Sequence, residues 1–82
     1  MDKSAVRTRI LKVGIVPVVR ASSAAEARMA AEALMAGGIS VVEITMTVPG
    51  AINVIRELSS TVGREVLIGA GTVLDAHTAA KC

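Results

Sequence analysis

At 82 residues the chain is smaller than a typical domain, and chains this short bury only a modest fraction of their surface. Hydrophobic residues make up 52% of it with no aromatic among them, the net charge is +2, and there is a single Cys and a single His. Those counts exclude a disulfide framework and a zinc pattern, and they argue against a nucleic-acid surface, which wants a broader basic face and stacking aromatics.

No apolar run approaches the ~20 residues that span a bilayer. The N-terminus carries charges but no uninterrupted apolar stretch, so a secretory signal is not expected and the cytoplasm is the default compartment. Lys3, Arg7, Arg9 and Lys12 crowd the first segment and read as a solvated helix face. With its Val, Ala, Ile, Leu and Met content, the composition is that of a slice from a larger α/β core.

In chain order, Asp2 or Ser4 caps a short helix with Val6, Ile10, Leu11 and Val13 at helical spacing, and Gly14 stops it. Ile15 to Arg20 reads as a first strand, with Pro17 tolerable near its start. Ser23 and Glu26 form a capping box for an Ala-rich helix running to Ala36, with Arg28 and Glu32 as an i,i+4 pair. Gly37-Gly38 supplies the left-handed stop.

Ile39 to Thr47 is a β-branched run with Glu43 inside it. Such runs read as parallel strands buried on both faces, where an ionised carboxylate is costly unless it is paired or does chemistry. Alternation puts Val41, Glu43, Thr45 and Thr47 on one face and Val42, Ile44 and Met46 on the other. Pro49 suits the first turn of the next helix, whose buried stripe is expected at Ala51, Ile52, Ile55 and Leu58. Ser59 to Arg64 is a loop, Glu65 to Val73 a third strand, and Asp75 caps a last helix. Strand–helix alternation with short links implies right-handed βαβ units and a parallel sheet. Three strands leave that sheet open on at least one side, and an uncovered apolar edge is an aggregation hazard.

Function on such sheets gathers at the C-terminal ends of the strands. Arg20, Glu43 to Thr47, and Thr72 therefore point to one rim, with Arg20 and Glu43 on one inward face. Glu43 either forms a structural ion pair with Arg20 or acts in catalysis or binding, which buried strand-end acids favour. Arg20 either joins that site or snorkels to solvent. Gly69-Ala70-Gly71-Thr72 imitates the start of a dinucleotide loop, but Leu74 stands where the third glycine belongs. Glycines that let a strand pack closely and admit a ligand are the preferred reading. His77 and Lys81 read as surface residues of the last helix; an imine-forming lysine needs a desolvated or cationic pocket.

The segments Val16-Pro17-Val18-Val19-Arg20-Ala21, Ala36-Gly37-Gly38-Ile39, Val42-Glu43-Ile44-Thr45-Met46-Thr47-Val48-Pro49-Gly50-Ala51 and Ile68-Gly69-Ala70-Gly71-Thr72-Val73 occur in this order and spacing. Together they resemble the N-terminal part of 2-keto-3-deoxy-6-phosphogluconate aldolase and its relative 4-hydroxy-2-oxoglutarate aldolase. The resemblance implies a partial (β/α)8 TIM barrel: an N-terminal helix and the first three βα units of a single aldolase domain, residues 1–82 being its incomplete N-terminal portion. It implies a class I aldolase that forms an imine through a sixth-strand lysine, needs no metal or organic cofactor, and is usually a homotrimer. The partner is a small-molecule keto acid with a pyruvate moiety.

By the same resemblance Glu43 is the catalytic proton shuttle, and Thr72 helps hold the substrate carboxylate. Many members carry an arginine where Thr47 stands; others pair a threonine there with an arginine ending strand one, and Arg20 with Thr47 resembles that arrangement. The expected substrate is 2-keto-3-deoxy-6-phosphogluconate, cleaved to pyruvate and glyceraldehyde 3-phosphate, with 4-hydroxy-2-oxoglutarate or 2-keto-3-deoxy-6-phosphogalactonate as the alternatives. The imine lysine is expected beyond Cys82, so the 82 residues alone are expected to be inactive and marginally folded. A non-catalytic, self-associating α/β fragment and a nucleotide-binding half-fold are the competing readings.

Overall fold

Asp2 opens the first helix by accepting a hydrogen bond from the Ala5 amide at 2.8 Å, and Gly14, at φ 78°, closes it with its N–H on the Ile10 carbonyl. The computed structural model describes residues 2–63 and 65–82. Its elements are α1 (Lys3–Val13), β1 (Val18–Val19), α2 (Ala24–Ala36), β2 (Val41–Thr45), α3 (Ala51–Thr61), β3 (Leu67–Gly71) and α4 (Ala76–Lys81). The alternating order expected from the periodicity is the order observed.

The three strands form one parallel sheet in the order β1-β2-β3. Val18 and Val19 pair with Glu43 and Ile44, while Val41 to Thr45 pair with Leu67 to Gly71. Consecutive strands are thus neighbours, and α2 and α3 pack together against one side of the sheet. The core lies there: Val19, Val42 and Ile44 meet Ala27 and Ala31 of α2 and Ala51, Val54, Ile55 and Leu58 of α3. Each Val, Leu or Ile fully buried in this way contributes about 1.5–3 kcal/mol. Helix α1 buries none of its residues, and Leu11 is 69% exposed.

Several local expectations are corrected. Strand one was expected from Ile15 to Arg20, but only Val18–Val19 is strand. It is an edge with one neighbour, and Pro17, which has no N–H to donate, contributes only its carbonyl, accepting from the Glu43 amide at 3.0 Å. Strands two and three are likewise trimmed, so Thr47 sits in the turn after β2 and Thr72 just past β3. The left-handed stop expected from Gly37-Gly38 is observed, with Gly38 supplying it at φ 94° and Gly37 at φ −78°. Pro49 is not in the first turn of α3, because Gly50 is the N-cap and the helix starts at Ala51. Val54 replaces the half-buried Ile52 in the buried stripe of that helix.

The Ser23 hydroxyl accepts from the Glu26 amide as expected, but the Glu26 carboxylate reaches back one residue further, to the amide and hydroxyl of Ser22. Arg28 does not pair with Glu32; it bonds Glu57 of α3 at 2.6 Å. Helix proximity, invisible in a local window, decides that choice. Helix α3 also runs through Ser59 to Thr61, expected as loop, with the Ser60 and Thr61 hydroxyls bonded back to the Glu57 carbonyl. Arg64, the last residue of that expected loop, lies outside the described residues. Among the described residues no helix is long and apolar enough to cross a membrane.

Candidate active site

The two faces of β2 carry different groups, although Val41 and Thr45, on the same face as Glu43, are also buried. Val42 and Ile44 point into the core and are fully buried. The alternate residues include Glu43, which is half-buried, beside Val18, 50% exposed, and Gly69, which is exposed. The carboxylate therefore stands on the side of the sheet that α2 and α3 do not cover. Among the described residues no side chain or amide donates a hydrogen bond to it, and no ion pair joins it to Arg20. The structural ion-pair reading of Glu43 is not realised.

Its neighbour on β3 explains where the carboxylate goes. Side chains on strands lean along the strand direction, and Glu43 leans toward Gly71, two residues beyond its own register partner Gly69. A Cβ placed on Gly71 would come within 2.6 Å of the Glu43 Cδ and 3.2 Å of its Cγ. The absent side chain of Gly71 is the space the acid occupies. Of the two glycines expected to allow close approach, Gly71 does so, and what approaches is the chain's own glutamate, whereas Gly69 has only ordinary contact. Gly69 and Gly71 both lie within β3. The Gly71 carbonyl accepts from the Met46 amide at 2.9 Å, so this backbone belongs to the ladder and does not form a phosphate-cradling loop of the dinucleotide kind.

Thr45 is buried at 1% exposure, and its hydroxyl lies 2.6 Å from that of Thr47, either being the donor. Thr47, expected as a strand residue on the Glu43 face, reaches the rim from the turn instead. Thr72 is exposed and has φ 57°. A β-branched residue in the left-handed region is an outlier that persists only where its surroundings impose it. Arg20 is exposed just past β1, and continuing the Val18–Glu43 register by two residues brings it level with Thr45 and Gly71. The structure thus sets Arg20, Glu43, Thr47 and Thr72 at one end of the sheet, while His77 and Lys81 stay exposed on α4. Thr45 was expected on this face, whereas Gly71 was read only as part of a glycine pair and not as a neighbour of Glu43. Gly71 had a signal, a second glycine two residues after Gly69, whose meaning depended on a diagonal contact.

A three-stranded parallel sheet with helices between its strands, and a carboxylate and hydroxyls gathered toward the C-terminal ends of those strands, defines an α/β protein. Comparison with known proteins narrows the class. Residues 6–82 match the aldolase family described as KDPG and KHG aldolase. The chain is similar to the 2-dehydro-3-deoxy-phosphogluconate aldolase of Zymomonas mobilis, 40% identical over 62 residues, covering 76% of this chain and 29% of that protein. It is also similar to the KHG/KDPG aldolase of Escherichia coli K12, 38% identical over 73 residues and covering 88% and 34%. The 2-dehydro-3-deoxy-phosphogluconate aldolase of Pseudoalteromonas atlantica is 39% identical over 67 residues, covering 82% and 31%. This chain belongs to the KDPG and KHG aldolase family, and it spans about a third of the length of the curated relatives it matches.

Proposed function

We propose that these residues form the first three βα units of a (β/α)8 barrel. In this reading the whole protein is a class I aldolase, a homotrimer that cleaves 2-keto-3-deoxy-6-phosphogluconate to pyruvate and glyceraldehyde 3-phosphate. Glu43 carries protons. It gives one to the hydroxyl that leaves as the keto carbon condenses with a lysine amine, and it takes one from the substrate hydroxyl as the carbon–carbon bond breaks. The iminium accepts the electron pair of that bond, so the step is complete without a further electron sink. Arg20 supplies charge to the substrate carboxylate, with the Thr47 and Thr72 hydroxyls beside it.

The observation that carries the proposal is the Glu43 carboxylate. It is half-buried on the uncovered face at the rim, with no donor among the described residues taking up its oxygens. An acid held for structure alone would have a partner; an acid that exchanges protons with a substrate keeps its oxygens available. The chain's three lysines, Lys3, Lys12 and Lys81, lie on α1 and α4 and are exposed. In this reading the imine lysine comes from outside these residues, and the 82-residue chain by itself is expected to form no imine.

The test replaces the matching third of the E. coli KHG/KDPG aldolase with residues 6–82 and measures pyruvate release. The chimera should cleave 2-keto-3-deoxy-6-phosphogluconate in preference to 4-hydroxy-2-oxoglutarate. Glu43→Gln should lower kcat by about 10²–10⁴-fold with the chimera still folded. Full activity in that variant removes Glu43 from the chemistry. A borohydride-stable pyruvate adduct on Lys81 of the 82-residue chain would overturn the placement of the lysine.

A further inference from the structure

We infer that Gly71 is a positioning residue for Glu43: the side chain it lacks is the space that fixes where the carboxylate stands. The inference deepens the proposed role of Glu43 and rests on that role for its catalytic meaning. The strand β3 carries an internal control. Gly69 and Gly71 share the strand, the face and an ordinary backbone, since neither has a positive φ. A Cβ on Gly69 would meet only the Val42 carbonyl oxygen, at 3.9 Å, which is ordinary contact. A Cβ on Gly71 would meet the Glu43 carboxyl carbon at 2.6 Å, a distance that two unbonded carbons do not share, and Cγ at a tight 3.2 Å.

What a side chain at position 71 would displace is the far end of a flexible glutamate and not backbone. An alanine there is accommodated by swinging the acid away, leaving the sheet as it was. Gly71 therefore acts on the position of the acid without being needed by the fold. A glutamate on an open sheet face has several staggered side-chain conformations, and this vacancy selects the one that lays the carboxylate over Gly71. A misplacement of about 1 Å at a reacting group costs up to ~10²-fold in rate, so such a selector matters to a proton carrier.

The deciding experiment is nuclear magnetic resonance on the 82-residue chain with labelled glutamate. The unsubstituted chain should show a nuclear Overhauser effect between the Glu43 γ-protons and the Gly71 α-protons, and side-chain couplings of a single Glu43 rotamer. Gly69→Ala should preserve both. Gly71→Ala should average the couplings while leaving the amide signals of β2 and β3 in place. Absence of the Overhauser effect in the unsubstituted chain overturns the inference, as do unchanged Glu43 couplings in Gly71→Ala. Should Gly71→Ala disrupt the sheet, the double variant Glu43→Ala with Gly71→Ala decides: recovery of the sheet supports the inference and continued disruption overturns it. These signals report where the carboxylate lies and not what it does. Failure of the aldolase reading, seen in the Glu43→Gln chimera, would leave them unchanged.

Discussion

The two faces of one short sheet follow different rules. Behind it, Val42 and Ile44 are sealed against Ala27, Ala31, Val54 and Ile55 with nothing polar among them. In front, the same strand shows a carboxylate resting on a glycine, and Thr45 holding the Thr47 hydroxyl. The rear face has what stability requires, dense apolar contact. The front face has what chemistry requires, polar groups with capacity left over. Adjacent residues on β2, one peptide apart, serve the two ends separately. Substitutions on one face should therefore leave the property of the other largely intact.

The sharpest way to break that division is to compare Ile44→Ala with Glu43→Gln in urea unfolding. The first should cost about 2–5 kcal/mol, enough to unfold a chain of this size. The second should stay within about 0.5 kcal/mol, although it is expected to slow the proposed chemistry by about 10²–10⁴-fold. Similar losses from both would mean the front face is structural as well.

Next in size is Thr72→Gly. Relieving a left-handed β-branched residue gains about 1–3 kcal/mol, less the roughly 0.5–1 kcal/mol that glycine forfeits in chain entropy. The variant should unfold at higher urea than the parent. A lower midpoint would show that the Thr72 side chain makes contacts worth more than its strain.

Thr45→Val is comparable or smaller. It keeps the buried shape and removes one hydroxyl of the Thr45–Thr47 pair, so a loss of about 0.5–1.5 kcal/mol is expected. A gain would mean the pair serves the rim at the expense of the fold.

The smallest effect is at α4. The Thr78 amide, bonded to the Asp75 carboxylate at 2.7 Å, holds that carboxyl below its usual range, with the Thr78 hydroxyl as the next cause. A group whose folded value is depressed stabilises the fold above its unfolded value and loses that contribution as pH falls through the folded one. Acidifying below about pH 4 should fray α4, seen in its amide exchange, while α2 and α3 behind the sheet stay protected. Equal exchange in all three helices would erase the contrast.

How much of this the sequence disclosed depends on the range of the interaction. Caps at Asp2, Ser23 and Asp75 are spelled within four residues, and all three are observed. The parity of β2 needed only a five-residue pattern. Arg28 was assigned to Glu32 because that carboxylate is near in sequence, whereas the partner it takes is 29 residues away on another helix. Strand ends ran long because propensity continues where pairing does not: Ile15, Val16 and Arg20 have strand-like neighbours but lie outside the ladder. The rim cluster was legible as four separate strand-end residues. The seat of Glu43 on Gly71 was not, since it joins two strands diagonally and depends on an atom that is missing.

Helix α1 is fastened at its ends by Asp2 and Gly14 and has no buried residue between them. Eleven residues with little packing are below the length at which a helix sustains itself in water. Its helicity should drain away over a broad temperature range, ahead of the cooperative loss of the sheet and of α2 and α3. The far-ultraviolet melting curve of this chain is therefore a slope followed by a step, and only the step measures the fold.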